Sequence, residues 1–502
     1  MGIFYKPKDG VCADFIPYYN PRSGTFELYY LHDYRDMAHM GEGCPWYRLT
    51  TTDFVHFGED GEILPRGGRE EQDLFVYTGC VVEKDGLYHI FYTGHNHYLI
   101  EKGGRGEAVM HAISTDGMHW TKKPEDTFFA PEEAPIEKND WRDPFVFFNE
   151  EEGRYWMLLC TRKLEGPSRR RGATGLLVSE DLKDWTYTGS LWDPTICWCP
   201  ECPDIFQWEG TWYLLYSTYC ETEGMRTFYR MADSPRGPWR NPGDNVLESR
   251  AFYAGKTASD GKNRYIFGWN PTKEGEADKG TVQWGGHLVV HKLIRYADGR
   301  LGTAVPEQLE ACYTQSIPLD LRPGIGCKSP EIDAQSCTAS SASGFAAVTA
   351  GEIPRQCQIT FDIRMKSGTD AAGVMLHATD GLEKGYYLRL ERGGRMVFDS
   401  TDRWCEHPEM SRRIGCTDDT VHHVRILLDD TVFLAYLDNE IALSARMYDI
   451  NGSGLAFFAL DGEASFSDIR VSPYQNAEDI IQSAELQEEA TVWQAVKPRE
   501  AV

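Results

Sequence analysis

Apolar and polar residues alternate with a period of two along most of this chain, in short runs separated by Gly, Asp and Pro. The stretch VVEKDGLYHIFYTG, residues 81–94, is typical. Two alternating runs flank an Asp-Gly pair, the pattern of a β-hairpin. Helical periodicity is nearly absent, so the pattern predicts an all-β fold.

One strand-turn unit recurs five times: GTFELYY from Gly24, GLYHIFY from Gly86, GRYWMLL from Gly153, GTWYLLY from Gly210 and GKNRYIF from Gly261. The separations are 62, 67, 57 and 51 residues. A second element follows in phase: TDFVHF at Asp53, TDGMHW at Asp116, EDLKDW at Asp181 and, more loosely, ADSPRGPW at Asp233. Its Asp is expected to cap a turn with its side chain, and its terminal aromatic to fill space between repeats. Multi-strand repeats of this length indicate a propeller. Five copies predict five blades of four strands around a central channel, spanning residues 1–315.

Near residue 318 the texture changes. The segment 328–352, rich in small and polar residues, reads as loop and weak edge strand. Alternating runs then return at 358–366, 385–391, 423–430, 431–440 and 464–472, which predicts a β-sandwich over 316–475. No flexible linker divides the two parts, so they are expected to pack firmly together. The tail, 476–502, has helix-forming composition and reads as a docking helix or a frayed end.

A formal charge of −26 argues against nucleic acid or anionic membrane as partners, since both require a basic surface. No apolar run is long enough to span a bilayer, and the first residues lack a secretory pattern. Fourteen scattered cysteines then read as reduced thiols in a cytoplasmic protein. Cys197, Cys199 and Cys202 lack the second knuckle a zinc site needs, so neither metal nor cofactor is expected. The run Arg169-Arg170-Arg171 reads as an exposed loop. Aromatic residues, at 13%, suit packed blades or a sugar pocket.

The chemistry is expected from three acids. Asp14, Asp143 and Glu201 lie 10, 10 and 9 residues before the glycine of their repeats, which places each on a first strand lining the channel. Glu201 lies among Cys and Pro, and apolar neighbours would raise its pKa as a general acid requires. Asp143 directly follows Arg142, which would keep it ionised. One protonated and one ionised carboxyl is what glycoside hydrolysis uses.

Asp14 with Asn20 and Gly24, the run Trp141-Arg142-Asp143-Pro144, and Glu201-Cys202-Pro203-Asp204 together resemble the three acidic blocks of glycoside hydrolase family 32. Tyr77-Thr78-Gly79-Cys80 and Trp284-Gly285-Gly286 are similar to further blocks of that family. The resemblance implies a five-bladed propeller joined to a β-sandwich and a small carbohydrate substrate, a fructoside. It implies Asp14 as nucleophile, Glu201 as acid and then base, and Asp143 as stabiliser of the transition state. Implied sugar contacts are Arg142, Trp141, Trp46, Tyr77 and Trp284. A retaining mechanism would need the Asp14 and Glu201 carboxyls roughly 5–5.5 Å apart.

The chain also departs from the family. Val11-Cys12-Ala13-Asp14-Phe15-Ile16-Pro17 replaces Trp-x-Asn-Asp-Pro-Asn-Gly, Leu31 stands where the family has Gln, and Val290-His291-Lys292-Leu293 replaces Pro-Arg-Glu-Leu. Two amides that would grip the terminal sugar are thereby lost. An inverting hydrolase of family 43 type and a carbohydrate-binding propeller without catalysis are the competing readings.

Overall fold

A computed structural model describes residues 2–220, 224–327, 329–402 and 405–475; the tail expected to form a helix lies outside them. The fold is all-β. Among the described residues the α-helices are single turns at Met37–Met40 and His97–Glu101.

Each repeat opens on a strand: Val11–Asn20, Phe75–Lys84, Ile136–Asn149, Glu201–Trp208 and Ala251–Ser259. Each of these inner strands pairs antiparallel with the next strand in sequence. The recurring glycines sit in the intervening turns with φ between +67° and +87°. At Gly86, Gly153, Gly210 and Gly261 an added Cβ would meet nothing within 4 Å. Left-handed backbone, not lack of space, therefore selects glycine there. The second recurring element also behaves as expected. Asp53 Oδ1 accepts from the amides of Val55 and His56 at 3.0 and 2.8 Å, Asp116 Oδ1 from Met118 and His119, and Asp181 Oδ1 from Lys183 and Asp184.

The inner strands touch one another in cyclic order, first to second, through to fifth and back to the first. Hydrogen bonds close part of this ring. Met225 pairs in parallel with Ala251, and Cys12 pairs with Gly286, so the first, fourth and fifth repeats share one continuous sheet. The second and third repeats form separate four-stranded sheets.

The second half is a twelve-stranded sheet folded over on itself. Phe398 and Phe433 belong to strands well separated in the sheet order, yet their ring centroids lie 4.4 Å apart. Ile359, Phe361, Val374, Leu388, Ile426 and Phe457 fill the space between. Here one expectation is corrected. The segment read as loop and edge strand forms a 17-residue strand, Ser336–Glu352, paired with the long strand Gly454–Pro473. Ala339, Ala346 and Ala347 are fully buried there. Small side chains permit close packing, and composition alone mimics a loop.

The halves share a core in which Tyr213, Phe252 and Val289 meet Leu434, Tyr436 and Ala442. Buried polar groups stitch the seam. Arg446 donates to the carbonyls of Asn270 and Pro271 at 2.8 and 3.0 Å, and His291 Nδ1 bonds the Tyr436 hydroxyl at 2.8 Å. Among the described residues no helix is long and apolar enough to cross a membrane.

Gly210→Ala is expected to cost about 1 kcal/mol because φ there is +79°. Urea unfolding should show a lower midpoint with an unchanged slope.

Candidate active site

All five inner strands break register at the same level. The residues squeezed out of the pairing are Asp14, Thr78, Asp143, Cys202 and Ala254, and four of them hold positive φ: Asp14 +28°, Asp143 +59°, Cys202 +49° and Ala254 +53°. A bulge re-aims the chain and leaves one residue free of its partner strand. Repeated around a ring, it gathers side chains at one level of the channel.

A cavity of about 480 Å³ opens over this level, lined among others by Asp14, Asp143, Glu201, Arg142, Tyr77 and Trp284. Asp14 is held from two sides. Thr78 Oγ1 donates to Oδ2 at 2.5 Å, and Trp269 Nε1 donates to Oδ1 at 2.9 Å. Burial raises its pKa; these donors and the nearby Lys256 ammonium oppose the rise. Asp143 Oδ2 accepts from the Cys202 amide at 2.9 Å, while the Asp143 amide donates to Thr93 Oγ1 at 2.8 Å.

Two expectations are corrected here. Arg142 does not keep Asp143 ionised. Its guanidinium donates to Glu201 Oε1 at 2.9 Å and to Asp140 Oδ1 at 3.0 Å. Asp143 is buried, and that desolvation carries its pKa up to about 7 despite the nearby cation. Glu201, in turn, does not sit in an apolar pocket. Arg142 grips one oxygen, the Tyr253 hydroxyl donates to the other, and the side chain remains 29% exposed. The neighbouring Cys202 aims its thiol at Asp14 Oδ2, 3.8 Å away, so groups from other strands rather than sequence neighbours hold Glu201.

Two implied sugar contacts are also misplaced. Trp141 is fully buried, packed against Tyr187 and Phe128. Trp46 is fully buried too, and its Nε1 donates to the carbonyls of Val76 and Tyr77 at 3.1 and 3.2 Å. Both tryptophans hold strands together rather than face the cavity. Trp269 and Tyr253, which touch the acids, carried no recognised site signal, and Thr78 stood only within a family-like block; their common feature is membership of inner or second strands at the bulge level.

The departures from the family pattern have structural counterparts. Ala13 and Leu31 are directly paired across two strands and fully buried, an apolar contact. His291 belongs to the seam with the second half. Gly286 fits where it pairs with Cys12 because an added Cβ would strike the Asn270 carbonyl at 1.8 Å. Arg169 and Arg170 lie in an exposed turn. Cys197, Cys199 and Cys202 are buried, and among the described residues no cluster of His, Cys, Asp or Glu is arranged to hold a metal ion.

Two predictions follow from the carboxylates. Folded Asp143 keeps its proton up to about pH 7, against about 4 when unfolded. The native state therefore binds more protons across that window, and this group's contribution to stability falls as pH rises through it. Asp143→Asn should raise the melting temperature at pH 8 and have little effect at pH 4, read by calorimetry. Trp269→Phe removes a donor that lowers the pKa of Asp14. The acid limb of the pH–rate profile should move to higher pH, with kcat at neutral pH down about tenfold.

Residues 14–304 match the Glycosyl hydrolases family 32 N-terminal domain. The chain is 24% identical over 485 residues to raffinose invertase of Escherichia coli, covering 89% of each. It is 22% identical over 499 residues to a levanbiose-producing levanase of Bacillus subtilis, covering 90% of this chain and 87% of that one. The fold matches sucrose-6-phosphate hydrolase from Lactobacillus gasseri with a TM-score of 0.71 at 17% identity, over 95% and 93% of the two chains. The family match spans more than half of the chain, over the ring of inner strands that carries the three acids. The chain therefore belongs to glycosyl hydrolase family 32, whose members hydrolyse O-glycosyl bonds.

Proposed function

We propose that this enzyme is a retaining hydrolase of β-fructofuranosyl linkages, working through a covalent fructosyl-enzyme on Asp14. The observation that carries this reading is the contrast between two carboxylates in one cavity. Asp14 is half-buried and fixed by two neutral donors, Thr78 and Trp269, as a nucleophile must be to attack in one geometry. Glu201, 29% exposed, is held instead by the Arg142 guanidinium and the Tyr253 hydroxyl, and it reaches solvent as a group that exchanges protons with a leaving group and then with water must. Matches to an invertase and a levanase support a fructoside as substrate.

In this scheme Glu201 donates its proton to the glycosidic oxygen as Asp14 attacks the anomeric carbon. The leaving group departs, water enters, and Glu201 takes a proton from it while the Asp14–sugar bond breaks. Asp143 contacts the ring hydroxyls, and its raised pKa lets it donate as well as accept near neutral pH. The Tyr253 phenol stays protonated because burial holds its pKa well above the ordinary value, so it remains a donor to Glu201. Tyr77 and Trp284 line the cavity as apolar walls. With Ala13 and Leu31 in place of the two amides, grip on the terminal sugar rests on fewer hydrogen bonds.

The ring of inner strands supports reading residues 1–315 as a five-bladed propeller carrying the site. The folded-over sheet supports a β-sandwich over 316–475. The described cysteines are all free thiols, which fits a reducing compartment such as the cytoplasm.

The test is fructose release from sucrose, inulin-type and levan-type oligosaccharides and difructose anhydrides, with arabinofuranoside controls. Asp14→Ala and Glu201→Ala should each lower kcat by at least about 10³. NMR of the first-formed product should show the β-anomer. An inverted product, or turnover of arabinofuranosides alone, would overturn the reading.

A further inference from the structure

Lys256 lies on the fifth inner strand, just past the bulge at Ala254, and is buried. In the cyclic order that strand neighbours the first and the fourth. Yet its Nζ donates to the Gly79 carbonyl of the second repeat at 2.8 Å. The same atom lies 5.5 Å from the ring centroid of Phe145, in the third repeat. A side chain that starts on the fifth strand and ends against the second and third must cross the middle of the ring. The ammonium therefore sits on the channel axis, close to the level of the bulges.

Its direct partner does not account for the charge. The Gly79 carbonyl is neutral, and among the described residues no ion pair within 4.0 Å involves Lys256. An ammonium buried in this way is costly unless negative charge nearby offsets it. Titratable groups facing it from other strands are Asp14, Cys80, Cys202 and Asp204. Burial pushes both thiols above their ordinary range, so they stay neutral. Asp204 has partners of its own, the Thr257 amide at 2.6 Å and the nearby Arg264 guanidinium. That leaves Asp14. Among the three acids, Glu201 is gripped by Arg142 and Asp143 lies near the same cation. The direct donors to Asp14 are all neutral: the Thr78 hydroxyl, the Trp269 indole and the Cys202 thiol. Around it stand the carboxyls of Glu201 and Asp143, the phenols of Tyr77 and Tyr253 and the Cys44 thiol, and Lys256 is the cation among them.

We propose that Lys256 is a positioning residue for the nucleophile, a cation on the channel axis that compensates the Asp14 carboxylate through space. The inference rests on Asp14 as the nucleophile of the proposed reaction. It adds that the charge, not the bond to Gly79, is what the reaction needs. Three variants of the full-length enzyme separate the two. Lys256→Gln offers an amide donor without charge, Lys256→Met offers neither, and Lys256→Arg keeps the charge. Removing a cation favours the protonated carboxyl, so the acid limb of kcat/KM on sucrose should move up by about one pH unit in both neutral variants. On that limb the rate falls about tenfold more than on the plateau. Lys256→Arg should hold the limb where the wild type has it. A merely structural loss would lower the rate alike at every pH, with a lower melting temperature. The same shift should appear without turnover, in infrared titration of the Asp14 carboxyl band, assigned by difference from Asp14→Asn. If Lys256→Gln folds poorly, Lys256→Met carries both measurements. A limb and band unmoved in the neutral variants, or moved as far in Lys256→Arg, would overturn the role. A shifted band in an enzyme that releases fructose from no fructoside would count against the proposed reaction and leave the link between Lys256 and Asp14 standing.

Discussion

Gathering three carboxyl groups at one level of a narrow ring is the constraint on which the rest of this molecule depends. Burial penalises charge, and the raised pKa values of Asp14 and Asp143 express that penalty. The fold answers with fixed donors and fixed cations. Thr78 and Trp269 hold Asp14, the Cys202 amide holds Asp143, and Arg142 with Tyr253 holds Glu201. Lys256, itself buried, donates to the Gly79 carbonyl next to Thr78 and brings a positive charge beneath the acids. Each donor comes from a different repeat than the acid it serves. The site exists only when the ring closes.

The second half of the chain reaches this site through short connections. Trp269, which donates to Asp14, is followed by Asn270, whose amide donates to the Ala251 carbonyl and to Ser444 Oγ across the seam. Arg446 holds the carbonyl of the same Asn270. The strand that positions the indole is thus clamped by the folded-over sheet. Among the described residues the second half of the chain adds none to the cavity lining, yet it fixes one of the two donors on Asp14, which gives a physical reason for the firm seam.

Asp14, Asp143 and Glu201 were legible because the hairpin glycines recur with a left-handed requirement that few other residues meet, and counting back from each glycine finds the strand. Trp141 and Trp46 were expected at the sugar from the family resemblance, which matches residue types and not the side a side chain takes. Trp46 lies on the third strand of its repeat, and Trp141 just before the bulge of an inner strand. Beside Asp143, Trp141 enters the core and Arg142 turns toward Glu201. Likewise the segment 328–352 reads as loop and weak edge strand because small residues score as turn formers, whereas the alanines of Ser336–Glu352 serve close packing between strands.

The sequence by itself determined the all-β class, the repeat period, the turn positions and the three acids, because these follow from local backbone preferences and from spacing within one strand-turn-strand unit. Tertiary structure alone decided which groups touch each acid and that Arg142 serves Glu201 rather than Asp143. Those contacts join residues 50 to 255 positions apart. Their geometry is set by ring closure and bulge phase, and neither is a property of any local stretch of chain.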